Sequence, residues 1–184
     1  MTGKTVSERS SEPPVTPPSA LSIRRAEPGD VAAIHAMIRT LAEFEQLAHL
    51  CVASEADLAQ ALFGPRPAAE VLIAAIDGDS AGFALFFHNY STFLGRRGLW
   101  LEDLFVLPAY RRRGCARALL RALAGIARER GCGRFEWAVL DWNAGAIDFY
   151  RGLGAMVLPD WRIVRVVGPA LEALASPSGE NDIG

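Results

Sequence analysis

Two carboxylates stand inside a run that otherwise reads as a buried strand. In RGLWLEDLFVLP (97–108), Glu102 and Asp103 interrupt apolar neighbours on both sides. Successive strand residues face opposite sides, so the two side chains diverge. A charge within such a strand is costly unless it is paired or open to a wet cleft. Two readings follow. One is a salt bridge to a nearby arginine, Arg96 or Arg97. The other is a group that binds an ammonium and helps take its proton through water. An alkyl ammonium has a pKa of about 10, so it must lose a proton before its nitrogen can attack anything.

Immediately after this strand comes LPAYRRRGCARALL (107–120), with Arg111, Arg112 and Arg113 just before Gly114. An apolar helical pattern begins there, and the first turn of a helix favours anions, not cations. A bound phosphate removes the conflict. Free N–H groups at a helix start point at the anion, a glycine lets the backbone come close, and arginines add charge-assisted bonds. Neither G-x-x-x-x-G-K-[ST] nor G-x-G-x-x-G is present. The alternative is a solvated basic helix end with Gly114 as loop punctuation.

These groups need elements to hold them. LSIRRA (21–26) alternates like a strand, and Pro28-Gly29-Asp30 opens a helix with Val31, Ile34, Met37, Ile38 and Leu41 at helical spacing and Asp30 as its N-cap. Ser54 and Asp57 match a capping box for a second helix that Gly64-Pro65 stops. EVLIAAID (70–77) and SAGFALFFHNY (80–90) read as strands joined by a tight turn at Gly78-Asp79. The 97–108 strand follows, then a helix from about 113 to 130 with a buried stripe of Leu119, Leu120, Leu123, Ile126 and Ala127, and Gly131 at its C-cap. RFEWAVL (134–140) is a strand, Asn143 caps a short helix, WRIVRVV (161–167) is a last strand, and ALEALA (170–175) a final helical turn. The order β, α, α, β, β, β, α, β, α, β predicts a mixed α/β sheet with helices on both faces.

The totals exclude several classes. A chain of 184 residues suits one domain, expected over 21–175, with disordered tails at 1–20 and 176–184. Net charge is −2, and the basic residues are not interleaved with aromatics, which speaks against nucleic acid as partner. No apolar run reaches the ~18 residues of a membrane span. Cys51, Cys115 and Cys132 are odd in number and show no C-x-x-C spacing, so they read as free thiols in a reducing, cytoplasmic compartment, with no metal site.

Arg111-x-x-Gly114-x-Ala116 after an apolar strand fits the [RQ]-x-x-G-x-[GA] signature of the GNAT superfamily of acyl-CoA N-acyltransferases. DWNAGAIDFYRGLGA (141–155) resembles that family's second signature, N-x-x-A-x-x-F-Y, with one strand between the two. LWLEDLFVLPAYRRRGCARALL, LAEFEQL, GFALFFHNYSTF and DWRIVRV are further similar to spermidine/spermine N-acetyltransferases and their thialysine-acetylating relatives. The resemblance spans roughly residues 21 to 175. It implies a mostly antiparallel central sheet of about six to seven strands, acetyl-CoA as co-substrate, a small amine as acceptor and a homodimer.

By this resemblance the diphosphate sits on residues 112 to 117, with Arg111 opening the signature and Arg112, Arg113, Gly114, Cys115, Ala116 and Arg117 around it. Asn143 and Ala146 belong to the second signature. The pantetheine arm runs along Leu104, Phe105 and Val106, in a splay between that strand and RFEWAVL, and an N–H near Leu104 stabilises the oxyanion. Tyr150 is the general acid for the departing thiolate. Glu102 aids amine binding and deprotonation, and Asp103 adds negative field. Phe44, Glu45, Tyr90, Glu136 and Trp161 are candidates for the acceptor cleft. Cys115 departs from the family's usual aliphatic and reads as a small buried thiol. The acceptor stays open between a polyamine, a thialysine-like amino acid, a peptide amino terminus and an aminoglycoside. A non-catalytic acyl-CoA-binding module is the alternative to an enzyme.

Overall fold

EVLIAAI has no polar side beyond Glu70, and a strand of that kind needs cover on both faces. A computed structural model describes residues 20–176 and buries every residue from Val71 to Ile76 in β2 (Glu70–Ile76). Val71 and Ile73 pack with Ile34 and Met37 of α1 (Val31–Phe44) and with Leu58 and Leu62 of α2 (Glu55–Phe63). The alternate residues Leu72, Ala74 and Ile76 are buried on the opposite face, where α3 (Cys115–Glu129) lies against the sheet with Leu119, Leu120, Leu123 and Ala127 buried. Each fully buried leucine contributes about 2 kcal/mol of transfer free energy. Of the expected tails, 1–20 and 176–184, all but Ala20 and Ser176 lie outside the described residues.

Two compact units make up the chain, the first ending at Ala138 and the second beginning at Val139. The first holds the sheet, in the order β1 (Leu21–Arg25), β2, β3 (Asp79–Ser91), β4 (Arg96–Val106), β5 (Phe135–Trp137). The first three pairings are antiparallel and β4–β5 is parallel. This is the mixed, mostly antiparallel sheet expected, with five strands among the described residues instead of six to seven. The second unit contains α4 (Ala144–Arg151) and α5 (Pro169–Ala175).

Three local expectations shift. WRIVRVV is not a strand, because β-branched residues favour extended backbone but a strand also needs an edge to pair with, and none pairs with 161–167 among the described residues. The β2–β3 turn falls on Asp77 (φ 55°) and Gly78 (φ 94°), one residue earlier than expected, because a two-residue hairpin needs positive φ at both positions and Asp79 already pairs with Ile76. Asp30 does not cap α1. Its carboxylate accepts two bonds from Arg24, at 2.6 and 2.7 Å, and one from the Glu27 N–H, so it closes the short 3-10 turn Pro28–Asp30 instead. The Ser54–Asp57 capping box, Gly131 in left-handed backbone (φ 68°) after α3, and Asn143 as the cap of α4 all form as read, the last accepting from the Ala146 N–H at 3.2 Å.

Candidate active site

The site begins with a break in register. Leu85 of β3 faces Asp103, but Phe86 faces Leu101, so Glu102 is an extra residue bulged out of β4. A bulge bends a strand and re-aims its side chain. Glu102 is exposed, and its Oε2 accepts a bond from the Trp100 indole N–H at 2.8 Å. Asp103 is half-buried. Burial, together with the carboxylates of Glu102 and Glu45, pushes it up to about 6. Burial also raises Glu45, which caps the C-terminus of α1, where the helix dipole already disfavours negative charge. Three acids from two elements thus share one field. Neither Arg96 nor Arg97 pairs with them: those arginines sit at the other end of β4, five to seven residues from Glu102 and Asp103. The salt-bridge reading of Glu102 and Asp103 therefore gives way to three carboxylates that share one negative field.

Beyond the bulge, no strand among the described residues pairs with the second edge of β4. β5 pairs with Leu99–Leu101 and stops, while β4 continues to Val106 on β3 alone. The Leu107 N–H donates to the Ala81 carbonyl at 2.9 Å. Since bonding alternates along an antiparallel pair, Phe105 also bonds toward β3, and Leu104 and Val106 turn their N–H and C=O groups away from it. Phe105 anchors the strand by burying its ring against the α1–α2 core. The result is a short row of backbone donors and acceptors that an extended, amide-bearing chain can pair with.

This edge leads to the start of α3. Gly114 is its N-cap at φ 88°, and no side chain caps the helix. First-turn N–H groups have no acceptor inside their own helix, so those of Cys115, Ala116 and Arg117 remain for an outside anion. Arg112 holds φ 64°, a left-handed conformation that costs a non-glycine residue about 1 kcal/mol and that marks functional loops. Arg112, Arg113 and Arg117 are exposed around the loop. Arg111 does something the sequence did not disclose. Its Nε donates to the Val106 carbonyl at 3.3 Å and its guanidinium lies over the Phe44 ring, 5.4 Å from the centroid. It links the end of α1, beside Glu45, to the β4 edge that precedes the Gly114 loop. Cys115 is buried, its thiol raised by burial and 3.8 Å from the Tyr110 carbonyl. That agrees with the small buried thiol of the sequence reading.

Glu136 and Tyr90 of the first unit lie away from the three carboxylates. Glu136 pairs with Arg134 at 2.8 Å and accepts from the Asn89 amide at 3.3 Å, both interactions of a structural kind. Tyr90 faces Arg97 across the ladder, at the far end of β4 from Asp103. In the second unit, Tyr150 is half-buried on α4 with the Phe149 ring beside it, centroids 5.5 Å apart, and Trp161 is exposed. Trp100 was missed, although its position two residues before Glu102 puts the two side chains on one face of a strand. Among the described residues, no group of three or more His, Cys, Asp or Glu side chains is placed to hold a metal ion. No helix among them is long and apolar enough to cross a membrane.

Comparison with known proteins extends these observations. Residues 34–155 match the model of the Acetyltransferase (GNAT) family. The chain is 37% identical to an L-ornithine N5-acetyltransferase of Arabidopsis thaliana over 197 aligned residues, covering 83% of this chain and 86% of that one. It is 39% identical over 164 residues to a thialysine N-epsilon-acetyltransferase of Mus musculus, covering 83% and 96%. Among solved structures, an integron cassette protein from V. cholerae superposes with a TM-score of 0.71 at 26% identity, covering 84% of this chain and 97% of that one.

Proposed function

The chain belongs to the GNAT acetyltransferase family, whose members are acetyl-CoA-dependent N-acyltransferases, and from that premise we propose that it acetylates a primary amine of a small cationic acceptor by direct transfer. One observation carries the reading: the β4 edge at Leu104–Val106, left unpaired by β5, runs from the three carboxylates Glu45, Glu102 and Asp103 to an arginine-flanked helix start that no side chain caps. An acceptor with a second cationic centre suits three carboxylates better than a neutral amine does. This favours an ornithine-, thialysine- or polyamine-like molecule over a peptide terminus. The two relatives named above act on ornithine and on thialysine, which supports the same class.

In the proposed reaction, Glu102 receives the ammonium's proton through water, and Trp100 keeps its carboxylate in place. The freed nitrogen attacks the thioester carbonyl, forming the C–N bond while the carbonyl oxygen gains negative charge beside the Leu104 N–H. The nitrogen, now bonded to carbon, gives up its second proton to water, the C–S bond breaks, and the sulfur takes a proton from the Tyr150 hydroxyl, which is restored from solvent. A thiol has a pKa of about 8.5 and a phenol about 10, so this transfer is modest work near neutral pH. Asp103 and Glu45 hold the acceptor's cationic groups, and Phe44 walls the cleft. Asn143 and Ala146 support the α4 turn that carries Tyr150.

The chain is further read as a cytoplasmic homodimer. Its cysteines are free, and the extended segment 161–167 exposes Ile163 by 69% and Val164 by 88%. Sedimentation of the purified protein tests the assembly. The activity is tested by following CoA thiol release with ornithine, thialysine, lysine, spermidine, putrescine, an aminoglycoside and a short peptide. Turnover with one small amine, falling at least tenfold in both Tyr150→Phe and Glu102→Gln, supports the scheme. Acetyl-CoA binding without turnover on any amine refutes it and leaves an acyl-CoA-binding module.

A further inference from the structure

The first unit carries a second concentration of positive charge, apart from the Gly114 loop. An open hollow of about 570 Å³ is lined by His88, Tyr90, Arg96, Arg97 and Arg130, together with two glycines and no carboxylate. It lies where the β3–β4 hairpin begins. Arg97 is six residues before Asp103, roughly 20 Å along the strand. Arg130, after α3, already has a carboxylate partner: Glu70, which also pairs with Arg25, accepts bonds from both of its terminal nitrogens. His88 is also committed. Its Nε2 is 2.9 Å from the Arg130 Nη1 and its Nδ1 is 3.0 Å from the Gly98 carbonyl. A guanidinium only donates, so Nε2 accepts and Nδ1 carries the hydrogen. The Glu70–Arg130–His88 chain is thus a fixed wall.

Arg96 and Arg97 differ. Among the described residues, neither has a carboxylate within ion-pair distance. Both line one hollow, Arg97 on the His88 and Tyr90 side of the ladder and Arg96 as the first residue of β4, against a wall whose remaining partners are spent. Tyr90, directly across the ladder from Arg97, is 63% exposed and offers a flat ring at the rim. Guanidinium forks match phosphate oxygens in geometry as well as charge. We propose that this hollow binds the phosphate group of a small phosphate-bearing molecule, as a site separate from the acyl-CoA phosphate loop and independent of the proposed amine acceptor.

The test uses the full chain saturated with CoA, so that the Gly114 loop is already filled. Inorganic phosphate and AMP are titrated in separately by calorimetry at fixed ionic strength. Saturable binding of one molecule per chain is expected for at least one of them. In the double variant Arg96→Gln/Arg97→Gln its Kd rises at least tenfold, while amine turnover and the far-UV circular dichroism stay as in the wild type. AMP binding tighter than phosphate, with the difference lost in Tyr90→Ala, identifies a nucleotide-like ligand seated on the ring; equal binding of the two identifies the phosphate group alone. The absence of saturable heat with both probes overturns the proposal, as does an unchanged Kd in the double variant.

Discussion

Replacing Asp103 by asparagine should stabilise the protein and cripple it at once. The carboxyl is raised from 3.8 to about 6 by burial and by the charges of Glu102 and Glu45. The folded chain therefore holds this proton more tightly than the unfolded chain. Below about pH 3 both states are protonated and the group is neutral in its effect. As pH rises from 4 to 6.5 the unfolded chain releases the proton first, and the fold loses stability. A rise of that size corresponds to about 3 kcal/mol when complete, and the partial access of water to Asp103 reduces the expected loss to about 2 kcal/mol. Asparagine resembles the neutral acid in shape and carries no charge to bury. Urea unfolding at pH 4, 5, 6, 7 and 8 should show Asp103→Asn more stable than wild type by about 2 kcal/mol at pH 8, with the gap closing toward pH 4. Over the same series the KM for the cationic acceptor should rise at least tenfold. A gap independent of pH, or a variant less stable than wild type at pH 8, refutes the view that Asp103 is a destabilising charge held for the acceptor.

Four further outcomes follow. Trp100→Phe removes the 2.8 Å donor to Glu102; a bond to a charged group contributes about 2 kcal/mol, so kcat should fall about tenfold with the acetyl-CoA KM unchanged, and an unchanged kcat excludes the positioning role. Gly114→Ala meets no obstacle nearer than Leu21 Cδ2 at 3.8 Å, so its cost is the φ of 88° alone, about 1 kcal/mol in melting experiments; the acetyl-CoA KM should rise several-fold as the first-turn N–H groups shift. Cys115→Ala should keep most of its turnover while costing about 1 kcal/mol of stability, because the thiol is buried and raised; loss of all turnover points instead to a covalent cysteine mechanism. Arg111→Met should lower turnover more than Arg113→Met, since Arg111 braces both the Val106 carbonyl and Phe44; equal effects place both arginines in a purely electrostatic role.

Much of this was legible in the residues. The carboxylates inside LWLEDLFV stood out because charge in a buried strand has few uses. Gly114 stood out because an arginine triplet conflicts with a helix start, and Ser54–Asp57 and Asn143 are local bonding patterns that need no distant partner. These features depend on residues within a few positions of one another, so periodicity, capping chemistry and charge disclose them. What depended on strand pairing stayed hidden. No property of Glu102 itself makes it the bulged residue; the register of β3 does that. No property of WRIVRVV withholds a strand from it; the lack of a paired edge does. Arg111 reads as a phosphate ligand until the fold brings the end of α1 beside it. Asp103 reads as an ordinary acid until burial and the approach of Glu45 raise it. By itself the sequence determined which groups are available and where the chain turns. Tertiary structure decided which of them meet, because electrostatic shifts and hydrogen bonds fall off over a few ångströms, while the residues that share them lie tens of positions apart in the chain.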